Sequence, residues 1–106
     1  MPTYKVLAQS APSATTATTL YTATNATIVS TINVANTGGA ADTIRIAVRP
    51  AGATLANLHY LTYGVQVPPG AIFTFTGGVT LANTDVITVY STTGTSSFSA
   101  FGSEGN

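Results

Sequence analysis

The chain contains no cysteine and no tryptophan, and only 6% of its 106 residues are charged. Without cysteine, disulfide bonds and thiolate metal ligands are excluded, so packing, with any neighbouring subunits, is left to hold the fold together. Three basic residues balance three acidic ones, which gives a formal net charge of zero. Free small domains usually carry a net charge of about 2–8, which keeps them soluble and apart. We favour a protein that stands in a permanent assembly, with a surface hydrated by hydroxyl groups as the open alternative.

Long apolar runs and clusters of basic residues are also missing. No apolar stretch approaches the ~20 residues of a membrane-spanning helix, so we expect no contact with a membrane. Three basic residues in total cannot make the phosphate contacts that dominate nucleic-acid binding. Leu55–Leu58 is the best candidate for a helical turn, and it is too short to be a stable helix alone. These absences favour a small β-rich protein whose partner is neither a membrane nor a nucleic acid.

The clearest pattern in the chain is the alternation over Asp42–Pro50. Three β-branched apolar residues, at positions 44, 46 and 48, alternate with Arg45, Ala47 and Arg49. Such alternation predicts a strand with one buried face, and it places both arginines of the chain on the opposite face. The preceding run, Ile28–Asn36, predicts another strand. The turn residues Asn36–Gly39 predict that the two strands form a hairpin.

Short alternating segments separated by turn residues continue along the rest of the chain. The further predicted strands are Thr3–Gln9, Thr18–Thr24, His59–Val67, Ala71–Thr76, Val79–Leu81, Val86–Ser91 and Ser96–Phe101. Seven to nine short strands at spacings of about 8–12 residues predict an all-β antiparallel β-sandwich, either immunoglobulin-like or jelly-roll-like. We expect residues 1–106 to form one sandwich domain with a short polar tail from about residue 102.

Residues that could perform chemistry are few. The acids are Asp42, Asp85 and Glu104, and the only histidine is His59. Asp42 and Asp85 each open a strand after a turn, where Asp commonly bonds nearby backbone amides. A single histidine excludes a multi-histidine metal site within one chain, so we expect it to be hydrogen-bonded or on the surface. The sequence therefore predicts no catalytic residue, no metal, no cofactor and no enzymatic activity.

The candidate partner-interface residues are Arg45, Arg49, Tyr60 and Tyr63. Two arginines on one face of a strand can hydrogen-bond carboxylates or carbonyl groups of a partner. Tyrosine supplies amphipathic surface for subunit interfaces or for sugar stacking. Alternatively, the arginines lie across exposed sheet and their stems cover neighbouring side chains. The residue pattern leaves both interpretations open.

Several ordered blocks of the sequence resemble a family of small virion structural proteins of tailed bacteriophages, especially phages of cyanobacteria and marine bacteria. The blocks are KVLAQSAPS at Lys5–Ser13, TLYT at Thr19–Thr22 and IRIAVRPAG at Ile44–Gly52, followed by Leu55–Tyr60, Leu81–Tyr90 and Phe101–Glu104. The resemblance covers nearly the whole chain. It carries no motif tied to an activity, so it transfers no catalytic residue.

The resemblance implies a β-rich component of the virion, with a capsid decoration (cement) protein as the favoured role. Such a protein is commonly a trimer that sits where neighbouring capsomers meet and clamps them. The implied partners are further copies of the chain and the major capsid protein, and the implied location is the capsid surface. A tail, tail-fibre or host-glycan-binding β module remains the alternative.

Overall fold

The computed structural model describes the backbone of residues 3–76 and 78–105, and the side chains from Lys5 onward within these ranges. Its strands are β1 (Thr3–Ser10), β2 (Thr18–Thr22), β3 (Thr27–Asn36), β4 (Asp42–Arg49), β5 (Tyr60–Val67), β6 (Ile72–Phe75), β7 (Val79–Leu81), β8 (Val86–Ser91) and β9 (Ser96–Glu104). Two 3-10 turns, Pro50–Gly52 and Asn57–His59, lie between β4 and β5. The prediction of an all-β protein is confirmed, and the helical turn expected at Leu55–Leu58 lies instead at Asn57–His59, as a 3-10 turn.

The strands form two antiparallel sheets that pack as a sandwich. Sheet I has the order β1-β9-β3-β6, with β7 also paired to β3, and sheet II has the order β2-β8-β4-β5. β6 pairs with Ile32–Ala35 of β3 and β7 pairs with Thr27–Val29, so these two short strands fill one strand position. If β6 and β7 are counted together as the sixth strand, β8 becomes the seventh and β9 the eighth. The two sheets then have the strand orders 1-8-3-6 and 2-7-4-5, which is the strand order of a jelly roll. Of the two sandwich types left open by the sequence, the topology matches the jelly roll.

The predicted hairpin between β3 and β4 is wrong. β3 belongs to sheet I and β4 to sheet II, so residues 37–41 cross from one sheet to the other. The Asn36 side chain shapes this crossing, because its Nδ2 donates to the Ala40 carbonyl at 2.8 Å and its Oδ1 accepts from the Gly38 N–H at 3.0 Å. Asn and Gly are turn residues in a hairpin and in a crossing loop alike, so the local sequence does not separate the two.

The last strand is longer than the sequence predicts. β9 runs to Glu104, and this residue pairs with both β1 and β3. The prediction of a polar tail from about residue 102 is therefore wrong for Gly102–Glu104. Gly102 makes this extension possible, since a Cβ atom there would lie 2.0 Å from the Ile28 carbonyl oxygen. That separation is far inside van der Waals contact, so only glycine lets β9 and β3 approach so closely.

The core lies between the two sheets and contains the apolar positions predicted for β4. Ile44 and Ile46 are fully buried and belong to the same apolar cluster as Phe98 of sheet I. Burying a side chain of this size stabilises the fold by about 1.5–3 kcal/mol. This alternation fixes the orientation of the strand, and Arg45 and Arg49 consequently lie on the outer face of sheet II, as predicted.

Candidate functional site

The outer face of sheet II brings both arginines together with tyrosines from the neighbouring strands. We call it the arginine face and define it by Arg45, Arg49, Tyr60, Tyr63 and Tyr90. Arg45 lies between two strands, opposite Tyr90 of β8 and Tyr63 of β5. Its guanidinium carbon is 4.3 Å from the Tyr63 ring centroid and 4.1 Å from the Tyr90 ring centroid. Both rings therefore attract the cation through their π faces.

Two β-bulges in β5 orient the tyrosines on this face. The register of β5 against β4 shifts at Gly64 and again at Leu61, so β5 gains one residue at each point. Gly64 has a φ of +79°, in the left-handed region that favours glycine. The bulge turns Tyr63 outward while Val65 packs against the core. A regular strand would place both residues on the same side.

Tyr60 and Tyr63 line a depression on this face. Their rings meet edge to face, with centroids 4.9 Å apart and an interplanar angle of 82°, which is a favourable aromatic geometry. Together with Asn57 they line a cavity of about 300 Å³. Leu58 is 83% exposed and Tyr63 is 61% exposed. The segment from Asn57 to Tyr63 therefore presents apolar, aromatic and amide groups beside the Arg45 cation.

Arg49 uses its hydrogen-bonding groups inside the chain. Its Nε donates to Thr88 Oγ1 at 2.9 Å, and one Nη donates to the Ala53 carbonyl at 3.2 Å. These bonds connect the segment after β4 to the neighbouring strand β8. That Arg49 contacts a partner stays a prediction, and two of its donors are already occupied.

Arg45 has no such partners among the residues that the structure describes. Its Nε is buried, and it is the one buried side-chain nitrogen or oxygen in the described part of the chain that lacks a hydrogen-bond partner. An unpaired buried donor costs free energy, so each case calls for an explanation. The guanidinium lies against both rings, and its N–H groups donate to no other described residue.

Asp42 is buried at one end of the sandwich, away from the arginine face. Its carboxylate accepts hydrogen bonds from the hydroxyls of Ser91 and Ser96 and from the Thr93 N–H. Burial alone would raise the pKa of this carboxyl, but the hydrogen bonds outweigh burial and hold the pKa below its ordinary value. We call these four residues the end cluster. Asp42 does not bond the nearby backbone amides that the sequence analysis expected, because its partners lie at the end of β8, in the loop after it and at the start of β9.

Asp85 is a second carboxylate that holds loops in place. Its two oxygens accept the backbone N–H groups of Ala51 and Ala82, each at 2.9 Å. These backbone hydrogen bonds lower the pKa of the Asp85 carboxyl. The residue therefore caps its own turn, as predicted, and also ties that turn to the 3-10 turn at Pro50–Gly52.

Glu104 is the third acid, and it joins strands instead of lying in a tail. It accepts a hydrogen bond from the Tyr21 hydroxyl, and its Oε1 is 2.9 Å from Lys5 Nζ. The tyrosine hydroxyl first, and then the lysine, lower the pKa of the Glu104 carboxyl. With all three acids of the chain engaged in this way, none of them is paired with Arg45.

His59 is hydrogen-bonded, as expected. Its imidazole Nδ1 accepts a hydrogen bond from the Ala56 N–H at 3.0 Å, and its backbone N–H donates to the Ala56 carbonyl at 3.0 Å. Over residues 3–76 and 78–105, no group of three or more metal-ligating side chains converges on one point. Nor does any helical segment in these ranges have the length and apolar character needed to cross a membrane. His59 thus closes the turn that leads into Tyr60.

No family model, curated protein or solved structure matches this chain.

The four candidate residues predicted from the sequence all lie on sheet II, and the structure adds Tyr90 and Asn57 to them. The alternation over β8 indicated that Tyr90 shares a face with Thr88. Nothing in the sequence indicated that β8 lies beside β4, so the stacking on Arg45 was missed. Asn57 lies in the 3-10 turn before β5, where no sequence pattern marked it.

Proposed function

We propose that this chain is a structural protein of a tailed-bacteriophage virion, serving as a capsid decoration protein that bridges and stabilises major-capsid subunits. The proposal joins the resemblance of the sequence blocks to one structural observation, the arginine face. That face stacks an arginine between two tyrosines and adds a third tyrosine edge to face. Arg and Tyr are enriched where proteins bind one another, so the face supports a binding function and not a catalytic one.

The jelly-roll order agrees with this proposal without deciding it. Jelly rolls occur in viral capsid proteins and in lectins, and one fold serves many functions. The scarcity of charge adds support, because a chain with 6% charged residues and no net charge has little to keep its copies apart. Such a surface suits a permanent assembly, which we propose to be a homotrimer.

In this role the chain acts through contacts alone. Each copy makes an interface with adjacent capsid subunits, and copies joined in a homotrimer engage several subunits at once. Linking the contacts raises the overall avidity well above that of one contact. Separating two capsid subunits then requires breaking the decoration interfaces as well.

The depression beside Arg45 favours a second candidate, a tail or tail-fibre module that binds host glycans. Asn57, Tyr60 and Tyr63 line a cavity of about 300 Å³, which lies near the lower end of the sizes of small-molecule sites. An aromatic ring can stack on a sugar, and a side-chain amide can hydrogen-bond its hydroxyl groups. Tryptophan, a larger stacking residue, is absent from the chain, so we place this candidate second.

Cryo-electron microscopy of intact particles of the phage that encodes this chain tests the proposal. Density that bridges neighbouring capsomers is expected and would support the decoration role. Density confined to the tail would replace that role with the second candidate. If the particles lack the chain, the virion proposal is wrong.

A further inference from the structure

We propose that the arginine face binds an aspartate or glutamate side chain of a different protein, and that Arg45 is the residue that receives it. The inference rests on the proposed function, because it takes that protein to be a neighbouring subunit of the virion. Its basis is a contrast within the chain. One cation has unused hydrogen-bonding groups, whereas the side-chain carboxylates of Asp42, Asp85 and Glu104 are all engaged.

Arg45 is held in position before any partner arrives. The Tyr63 and Tyr90 ring centroids lie 4.3 and 4.1 Å from its guanidinium carbon, and backbone pairing fixes their strands on either side of β4. These contacts with the ring faces do not use the N–H groups of the guanidinium as hydrogen-bond donors, so those donors are still available to a partner. Little side-chain freedom then remains to be lost when a carboxylate binds.

The described residues offer this guanidinium no acceptor. The Arg45 Nε is buried without a partner, and the two Nη groups are not among the buried unpaired atoms, so they reach the surface. Two adjacent Nη groups can donate to both oxygens of one carboxylate. A carboxylate also neutralises the charge, which a neutral carbonyl or hydroxyl does not.

The surroundings of Arg45 suit contact with a protein. Leu58, Leu61 and Tyr63 are 83%, 42% and 61% exposed, and all three belong to the segment that ends beside Arg45. Apolar side chains around a charged contact exclude water from it, and the contact is stronger when it is dry. We therefore expect the acidic residue of the partner to be flanked by apolar residues.

The acidic side chains of a second copy of this chain do not fit the role. Asp42 is fully buried, and both oxygens of Asp85 accept backbone N–H groups. Glu104 is held by a hydroxyl and an ammonium group. Bringing any of these acids to Arg45 of another copy would break existing hydrogen bonds, whereas a different protein carries no such penalty. Contacts between copies are therefore expected on other surfaces.

Carbodiimide coupling of particles that carry Arg45→Lys tests the inference. The reagent joins an amine to a carboxylate in contact with it, and arginine does not react. The new amine should couple to Asp or Glu of another virion protein, which mass spectrometry identifies. Thr74→Lys, at an exposed position of sheet I, is the matched control and should give no such product. Coupling of Lys5 to Glu104, whose charged atoms are 2.9 Å apart, verifies the reaction in each sample.

Arg45→Gln provides the matching measurement of affinity. Its rebinding to particles stripped of this protein should weaken about 30-fold or more, because the partner's carboxylate is left unpaired in a dry contact. Thr74→Gln should rebind as the wild type does. Rebinding of Arg45→Gln that equals that of the control would overturn the inference.

The remaining outcomes separate this inference from the proposed function. Coupling to a different virion protein, in the head or in the tail, supports the inference. Coupling to another copy of this chain overturns it. The inference is also overturned if the Lys5–Glu104 product forms and no new product does. After either of these two results, the proposed function stands if the particles contain the chain. Particles without the chain overturn the proposed function and this inference together.

Discussion

Asp42 and Arg45 lie three residues apart on β4, and their charged groups differ in burial and in hydrogen bonding. The Asp42 carboxylate points inward with Ile44 and accepts hydrogen bonds from two hydroxyls and a backbone N–H. The Arg45 guanidinium points outward between two tyrosine rings, with a buried Nε that has no partner among the described residues. One strand thus carries a charge that the fold satisfies and a charge that it leaves available.

A satisfied charge and an available charge should respond differently to removal. Taking away Asp42 leaves buried donors without an acceptor, and the penalty appears in the free energy of unfolding. Taking away Arg45 leaves no internal acceptor unpaired, so the penalty should appear in binding. The end cluster and the arginine face can therefore be compared by measuring folding and binding of the same variants.

Asp42→Ala should have the largest effect on folding. It removes the common acceptor of Ser91, Ser96 and Thr93, and we expect the free energy of unfolding in urea to fall by about 3 kcal/mol or more. Asp85→Ala is the matched control. Its two backbone donors belong to exposed residues, where water can replace the lost acceptor, so its loss should be clearly smaller. Equal losses would show that the burial of the end cluster does not cause the effect.

Acid should weaken the fold through the same carboxylate. The pKa of Asp42 is below its ordinary value in the folded chain, so its ionised form stabilises the folded state at pH values above about 4. As the pH falls below about 4 and through the lowered pKa, this stabilisation is lost. The free energy of unfolding should therefore decrease on acidification, by less than the loss in Asp42→Ala.

Asp42→Asn identifies the source of this acid sensitivity. The variant cannot ionise at position 42, so its free energy of unfolding should depend less steeply on pH over the same range. Asp85 and Glu104 also have lowered pKa values and account for the slope that remains. A slope as steep as that of the wild type would assign the acid sensitivity to those two residues instead.

Periodicity predicted the strands, and along a regular strand such as β4 it also predicted the buried side, because alternate residues face the core. The alternation over β4 placed Ile46 inside and Arg45 outside, as the structure shows. The pairing of the strands was not predictable in this way, since the alternation within one strand does not indicate which other strand lies beside it in the sheet. The expected hairpin at Asn36 was wrong for that reason, because β3 and β4 lie in different sheets.

The candidate site was predictable only in part. Arg45 and Arg49 followed from the pattern of one strand, but the stacking of Tyr90 on Arg45 depends on the pairing of β8 with β4. The outward direction of Tyr63 depends on the bulge at Gly64. A glycine inside a strand indicates a bulge, and this was the one signal available in the sequence.

Within the arginine face, Arg49→Ala should reduce stability more than Arg45→Ala. Arg49 donates to Thr88 Oγ1 and to the Ala53 carbonyl, and we expect a loss of about 1–2 kcal/mol in the free energy of unfolding. Thr88→Val removes the buried acceptor and nearly preserves the shape. In a double-mutant cycle the two changes should be less than additive if the hydrogen bond contributes to stability. Strict additivity would contradict this role for Arg49.

Arg45→Ala should have the smallest effect on folding. It removes two cation–π contacts, each contributing about 0.5–1 kcal/mol at an exposed site, and it also removes the unpaired Nε, whose penalty offsets part of that loss. The net change in the free energy of unfolding should stay within about 1 kcal/mol. Tyr90→Leu, which keeps apolar area and removes one π face, measures the stacking contribution separately. If Arg45→Ala unfolded as easily as Asp42→Ala, Arg45 would be a structural member of sheet II. A charge needed to hold the sheet together is not available to a partner, so this result would remove the distinction between the two regions.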